Sequence, residues 1–249
     1  MTLAQPPEDQ VHRVISGDAN PAYVAFHRPR FQFLIDTIRL YTTRQGCRLL
    51  DIGASRLTSL LATELNVEVD CLGLEADGQI QDTRHHRFDL NDAQDRSRWR
   101  TDIGPYDVIV FAEVIEHLYT APELVLAYLK DLLVPGGVLL VQTPNAAALR
   151  KRAKLLLGRN PFERIRIDRS NPGHFREYTL SELREILCGA GFVIDRVWMK
   201  YYFDARYARH DDGDEPARRV SGAVKNAIYR FLPGSLQEGI TIVARKGET

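Results

Sequence analysis

Two glutamates and a histidine stand together in Glu113-Val-Ile-Glu116-His117, directly after the apolar run Tyr106–Ala112. On a helix beginning near Glu113, side chains three and four residues apart are neighbours, so all three can converge. That grouping suits two chemistries. It can hold a divalent cation, Mg or Zn, with His174 of Asn-Pro-Gly-His completing a ligand set of Glu113, Glu116, His117 and His174. Without a metal, the glutamates cap the helix and contact a cofactor, and His117 acts as a general base. In either case His117 is the first candidate for a catalytic residue, with Glu116 beside it.

A second group of residues lies upstream. Leu49-Leu50-Asp51-Ile52-Gly53 is an apolar strand ending in an acid and a glycine, followed by Ala54 and Ser55. Glycine at such a turn lets backbone approach a ligand. Glu75, with Ala76 after it, comes 24 residues beyond Asp51, at the end of the next strand. A carboxylate there can accept hydrogen bonds from both hydroxyls of a ribose. Asp89-Leu90 follows a third strand and offers a carboxylate and a backbone N–H to an adenine edge. Neither G-x-x-x-x-G-K-[ST] nor a full G-x-G-x-x-G occurs, so a nucleoside without phosphates fits better than ATP or NAD.

The elements that must position these groups follow from apolar periodicity. Ala22–Thr42 reads as one or two amphipathic helices. Strands are expected at Cys47–Ile52, Val67–Leu74, His86–Leu90, Tyr106–Ala112 and Val138–Thr143. Helices are expected at Leu57–Leu65, Ala121–Leu133, Leu180–Ala190 with Ser181 as a cap, and Val220–Leu232. Pro135-Gly136-Gly137 reads as a turn, and Val193–Phe203 with Gly239–Arg245 as an antiparallel edge pair. Strands alternating with helices predict a doubly wound, mostly parallel α/β sheet, with ligands at the carboxyl ends of its first and fourth strands.

From Gly46 to Phe192 the chain resembles the class I S-adenosylmethionine-dependent methyltransferases. LLDIGAS resembles their first motif, LGLEAD the acidic ribose motif, FDLND the adenine motif, and YDVIVFAEVIEHL to LLVPGGVLLVQTPN the fourth strand through the fifth. The resemblance implies a Rossmann-like sheet of seven strands in the order 3-2-1-4-5-7-6. It implies S-adenosylmethionine as cofactor, with Asp51, Gly53, Ala54 and Ser55 toward the methionine portion and Glu75 and Ala76 at the ribose. Asp89 and Leu90 would lie at the adenine and Ala112 beneath the sulfonium, with Phe111 and Glu113 also among the cofactor-binding residues. The family usually has two further glycines where Ser55 and Leu57 stand, which leaves a non-catalytic partner protein as an alternative. The E-x-x-E-H string is similar to that of ubiquinone-pathway O-methyltransferases and of small-RNA 3′-terminal ribose methyltransferases, in which a metal positions the acceptor hydroxyl. The later TPN and GHFREYTLSELREIL segments look like methyltransferases of surface-polysaccharide pathways.

At 249 residues, with 33 basic and 33 acidic side chains, the chain fits one large domain and carries no global attraction to nucleic acid or membrane. Residues 1–45 read as an N-terminal helical segment and 46–249 as the domain. The absence of a long apolar run or a basic-apolar leader makes the cytoplasm the expected location. Cys47, Cys71 and Cys188 lack metal or disulfide spacing and read as buried thiols. Within the basic segment 146–170, Arg150, Lys151, Arg152, Lys154, Arg159, Arg164, Arg166 and Arg169 face only Glu163 and Asp168. This is either a solvated helix face, a binding surface for a phosphate-bearing acceptor or RNA, or a contact with an anionic membrane. The insertion 201–235, with acids at Asp211, Asp212, Asp214 and Glu215, reads as a lid or oligomer contact. His27, Arg28 and Arg30 are candidate wall residues. The reading that combines these features is O-methylation of a small-molecule or glycan acceptor, with metal-dependent RNA ribose methylation as the alternative.

Overall fold

Seven apolar runs pair into a single sheet, which in the computed structural model has the order β3-β2-β1-β4-β5-β7-β6. Residues 21–74, 83–168, 172–208 and 216–247 are described. The elements are α1 Pro21–Arg39, β1 Arg48–Ile52, α2 Arg56–Glu64, β2 Glu68–Gly73, β3 Arg84–Arg87, β4 Tyr106–Ala112, α3 Pro122–Leu132, β5 Leu133–Pro144, α4 Leu149–Leu156, α5 Leu180–Gly189, β6 Phe192–Lys200, α6 Pro216–Phe231 and β7 Gly239–Lys246. Strands β1 to β5 pair in parallel, and β7 runs antiparallel between β5 and β6. The expected seven-stranded, doubly wound architecture is the observed one.

Strand alternation divides the core into two layers. Leu50, Ile52, Ile109 and Phe111 pack with Val125, Leu126 and Leu129 of α3 and with Leu183 and Leu187 of α5. On the opposite face Leu49, Val108, Val110 and Leu140 pack with Phe31, Leu34, Ile35 and Ile38 of α1 and with Leu57, Leu60 and Leu61 of α2. The described part of the N-terminal segment therefore belongs to the core of the domain, as one helix.

Several local expectations change. The chain does not enter a helix at Glu113: that residue has φ 58°, and only a short 3-10 turn, Ile115–His117, follows. Strand β3 ends before Phe88 because Asp89 caps the 3-10 turn Leu90–Gln94. Gly136 and Gly137 lie within an irregular start of β5, where pairing with β4 slips between Tyr106 and Val108. Cys47 and Cys71 are buried, but Cys188 is exposed on α5.

Helix α5 is capped by Thr179 instead of Ser181. Thr179 and Glu182 form a reciprocal capping box, and Ser181 sits inside the first turn. Thr179→Ala is expected to cost about 1 kcal/mol in chemical denaturation, and Ser181→Ala less than about 0.5 kcal/mol. Equal losses for the two would count against this assignment of the cap.

Candidate active site

The carboxyl end of β1 carries Asp51, a fully buried acid whose Oδ2 accepts a hydrogen bond from Thr58 Oγ1 at 2.6 Å. Burial pushes its pKa up to about 7, against the opposing effects of the Thr58 hydroxyl and the Arg30 charge. Gly53 follows with φ 82°, and a Cβ there would lie 3.2 Å from Val114 Cγ2, so both the dihedral and the space call for glycine. Ser55, where the resembled family has another glycine, has extended backbone, φ −153°, and caps α2 by accepting from Leu57 N at 3.2 Å. Leu57 is an ordinary buried residue of the helix. The loop therefore takes its shape without the two missing glycines.

The other cofactor-side residues fall where strand ends expose backbone. Ala54 follows Gly53 and stands beside Gly73, the last residue of β2. Asp89 Oδ1 accepts from both Asn91 N and Asn91 Nδ2 at 2.9 Å, and Leu90 is buried next to it. Phe111 is wholly buried in the α3-side layer, which leaves only its backbone for a ligand, whereas Ala112 faces the α1-side layer at the strand's last position. Glu75 and Ala76 lie outside the described residues, as do Arg169 and the acids at 211–215.

From the other side, α1 inserts Arg30, whose buried guanidinium donates through Nε to Gln142 Oε1 at 2.7 Å. Gln142 in turn donates to Thr241 Oγ1 at 3.0 Å, tying the helix to β5 and β7. Arg30 acts electrostatically on both Asp51 and Glu116, so it is the cation shared by the two halves of the cleft. Arg28 is exposed, and His27 sits among the rings of Tyr23, Phe26, Phe31 and Phe203.

Glu116 is buried to 0% exposure, with Oε2 accepting from Thr143 Oγ1 at 2.9 Å and Oε1 without a hydrogen-bond partner among the described residues. Burial first, and the Glu113 charge second, raise its pKa well above the carboxylate range. Its backbone carbonyl accepts from Phe175 N at 2.8 Å, which pins the segment carrying His174 against the 3-10 turn after β4. That segment is held from the other end by Asn145, bridged to Tyr178. His117 Nδ1 lies 3.0 Å from the Gly173 carbonyl, and the His117 and His174 rings meet edge to face at 4.8 Å. Since a carbonyl only accepts, Nδ1 of His117 carries the proton and Nε2 presents a lone pair. His174 Nδ1 lies 3.2 Å from Glu177 Oε1, and burial, followed by the neighbouring His117, lowers its pKa.

Glu177 is ion-paired with Lys151, which also donates to the Asn145 carbonyl at 2.9 Å. Lys151 thus leaves the expected basic surface: it is buried, and desolvation lowers its pKa to about 8. Nothing in the basic run distinguished it, whereas polar Gln142 and Thr143 at the end of an apolar strand were a readable sign of a site. Of the four expected metal-ligating residues, Glu116, His117 and His174 bring ligand atoms within 4.8 Å of one another. Glu113 is not in that group, because its left-handed backbone removes it from the helical face on which the spacing argument placed it.

Comparison with known proteins now bears on this geometry. The methyltransferase domain profile matches residues 26–197. The chain belongs to the methyltransferase domain family. Its family and its strand order are those of the class I S-adenosylmethionine-dependent methyltransferases. A Mycolicibacterium smegmatis protein, described as a probable S-adenosylmethionine-dependent methyltransferase, is 38% identical over 89 residues, covering 36% of this chain and 29% of that relative. The methyltransferase thus spans less than a third of that relative's length. A solved S-adenosylmethionine-dependent methyltransferase from Archaeoglobus fulgidus superposes with TM-score 0.53 at 17% identity, over 92% of this chain and 100% of the other. The N-methyltransferase NodS from Bradyrhizobium japonicum, solved with S-adenosylhomocysteine, gives TM-score 0.53 at 14% identity, over 96% and 98%. At these identities the likeness to them is one of fold.

Proposed function

We propose that the chain moves a methyl group from S-adenosylmethionine to an oxygen nucleophile on a small-molecule or saccharide acceptor in the cytoplasm, with His117 as general base. The observation that carries this reading is the Nδ1–Gly173 contact at 3.0 Å, which places the ring proton on Nδ1 and leaves the lone pair on Nε2. When bound, S-adenosylmethionine supplies an electrophilic methyl on a sulfonium. The chain's own contribution is alignment, proton removal and a cationic and acidic frame of Arg30, Asp51 and Glu116. Gly53 and Asp51 fit the methionine portion, Asp89 and Leu90 the adenine, and Glu75 the ribose.

Asp51 provides a test of the cofactor placement. A half-ionised acid that meets a cationic ammonium loses its proton, so S-adenosylhomocysteine affinity is expected to rise roughly tenfold between about pH 6 and pH 8. The ligand-free protein responds in the opposite sense. A carboxyl whose folded pKa exceeds its unfolded value contributes stability below that unfolded value and loses it as pH rises through about 7. Asp51→Asn should flatten both profiles in calorimetry and thermal melts. Unchanged profiles in that variant would remove Asp51 from the cofactor site.

A second reading is favoured by one feature, the unpartnered Glu116 Oε1 beside two imidazoles whose other nitrogens are anchored on Gly173 and Glu177. Anchored ring nitrogens are the usual outer support of metal-binding histidines. Glu116, His117 and His174 would then hold a divalent cation, which lowers the pKa of an acceptor hydroxyl, including that of an RNA ribose. Turnover that disappears with EDTA and returns with Mg or Zn selects this reading. Turnover indifferent to EDTA selects the metal-free base.

A further inference from the structure

Helix α6 is mounted with its faces reversed. Its inward residues are Gly222, Asn226 and Tyr229, which recur at helical spacing. A Cβ at Gly222 would lie 2.4 Å from the Ala205 carbonyl oxygen, so the helix seats directly on backbone. Asn226 accepts from Ala205 N at 2.9 Å and donates to Asp204 Oδ1 at 2.8 Å, and Tyr229 bonds to Glu238. The outward stripe is Val220, Val224, Ile228 and Phe231, each more than half exposed, with Phe231 at 83%. A surface helix normally turns such a stripe toward the core.

A second segment also exposes large apolar side chains. Leu156 is 88% exposed and Ile167 100%, with Leu155, Leu157 and Ile165 also more than half exposed. The two elements meet at one place: Arg150 of α4 and Tyr229 of α6 share the Glu238 carboxylate, and Arg152 reaches the Ser235 carbonyl at 3.4 Å. The accessible charge here is mainly basic: Arg150, Arg152, Lys154, Arg159, Arg164 and Arg166 stand against Glu163 and Asp168, and α6 adds exposed Arg230.

We propose that this surface docks the chain on an anionic lipid bilayer, with the apolar stripe entering the headgroup boundary and the flanking lysine and arginine side chains on the lipid phosphates. Apolar area and positive charge on one face are the two contributions that hold a peripheral helix at such a surface. A second copy of the chain is the poorer occupant, because a two-fold contact would set this basic surface against itself. Docking does not depend on the methyl-transfer reading. The anchored surface adjoins the candidate site through Lys151, whose neighbours on α4 carry the exposed leucines.

Flotation of the full chain with vesicles tests the proposal. Binding is expected to mixed phosphatidylcholine and phosphatidylglycerol vesicles, to fall as salt is raised, and to be weak on phosphatidylcholine alone. Ile228→Asp combined with Phe231→Asp, and separately Leu156→Asp combined with Leu157→Asp, should each lower the bound fraction about tenfold. S-adenosylhomocysteine binding by calorimetry should be unchanged in both, which shows that the fold and the cofactor site persist. No binding to the anionic vesicles, or equal binding by the variants, overturns the proposal. A concentration-dependent dimer that the Ile228/Phe231 variant loses would assign the surface to a second copy instead.

Discussion

Replacing His117 with alanine is expected to lower methyl-transfer turnover by about 100-fold, with S-adenosylhomocysteine affinity unchanged. The imidazole is oriented by the Gly173 carbonyl at 3.0 Å and keeps access to solvent, so its Nε2 is available to an acceptor proton. Asn at this position can still donate to that carbonyl but cannot take a proton at neutral pH, and should behave like alanine. Glu116→Gln separates the two chemistries. The amide keeps the volume and an acceptor for Thr143, so metal-free turnover should stay within about threefold, whereas a cation-dependent enzyme loses a charged ligand and most of its activity. Turnover in His117→Ala within about threefold of the unaltered protein, well under ~1.4 kcal/mol, removes His117 from the reaction.

Glu75→Ala is expected to weaken S-adenosylhomocysteine binding by about 100-fold. The reasoning is chemical: a carboxylate closing the second strand would accept two charge-assisted hydrogen bonds from a ribose. Such bonds contribute about 1.5 kcal/mol or more each, so losing both approaches 3 kcal/mol. Asp89→Ala should cost less, because one of its oxygens is already engaged by Asn91 at 2.9 Å. Calorimetry on both variants decides the matter. If the protein takes up no cofactor product at all, the family assignment stands and the non-catalytic alternative replaces the enzyme.

The order of these effects follows from the proposed roles. With His117 acting on the acceptor proton, its loss should appear in turnover alone. With Glu75 at the ribose and Asp51 at the methionine portion of the bound cofactor, their loss should appear first in affinity. Arg30 belongs to both halves through its influence on Asp51 and Glu116, and its removal should disturb binding and turnover together.

How much of this was legible before folding differs from element to element. Asp51-Ile-Gly53 could be placed at a strand end because an apolar run that reaches a charged residue and a glycine marks the carboxyl edge of a buried parallel strand, whereas the polar strand Arg84–Arg87 before Asp89-Leu90 carried no such mark. The antiparallel pair β6 and β7 was legible for a similar reason, since both runs are β-rich and bounded by turn residues. The Glu113 spacing misled, because a helical period presumes helical dihedrals and a single residue at φ 58° ends that presumption. His117 and His174 were each visible as candidates, but their meeting at 4.8 Å depends on the Glu116 carbonyl accepting from Phe175 N, 59 positions further along the chain.

By itself, the amino-acid order determined the sheet, its winding and the edge at which a nucleoside can sit, because apolar periodicity and turn chemistry act over a few neighbouring residues. Tertiary structure alone decided that Lys151 is buried against Glu177, that Arg30 reaches over Gln142, and that α6 turns its apolar stripe outward. Those outcomes depend on desolvation and on contacts between residues far apart in the chain, and no local pattern encodes which side of a helix its surroundings will leave exposed.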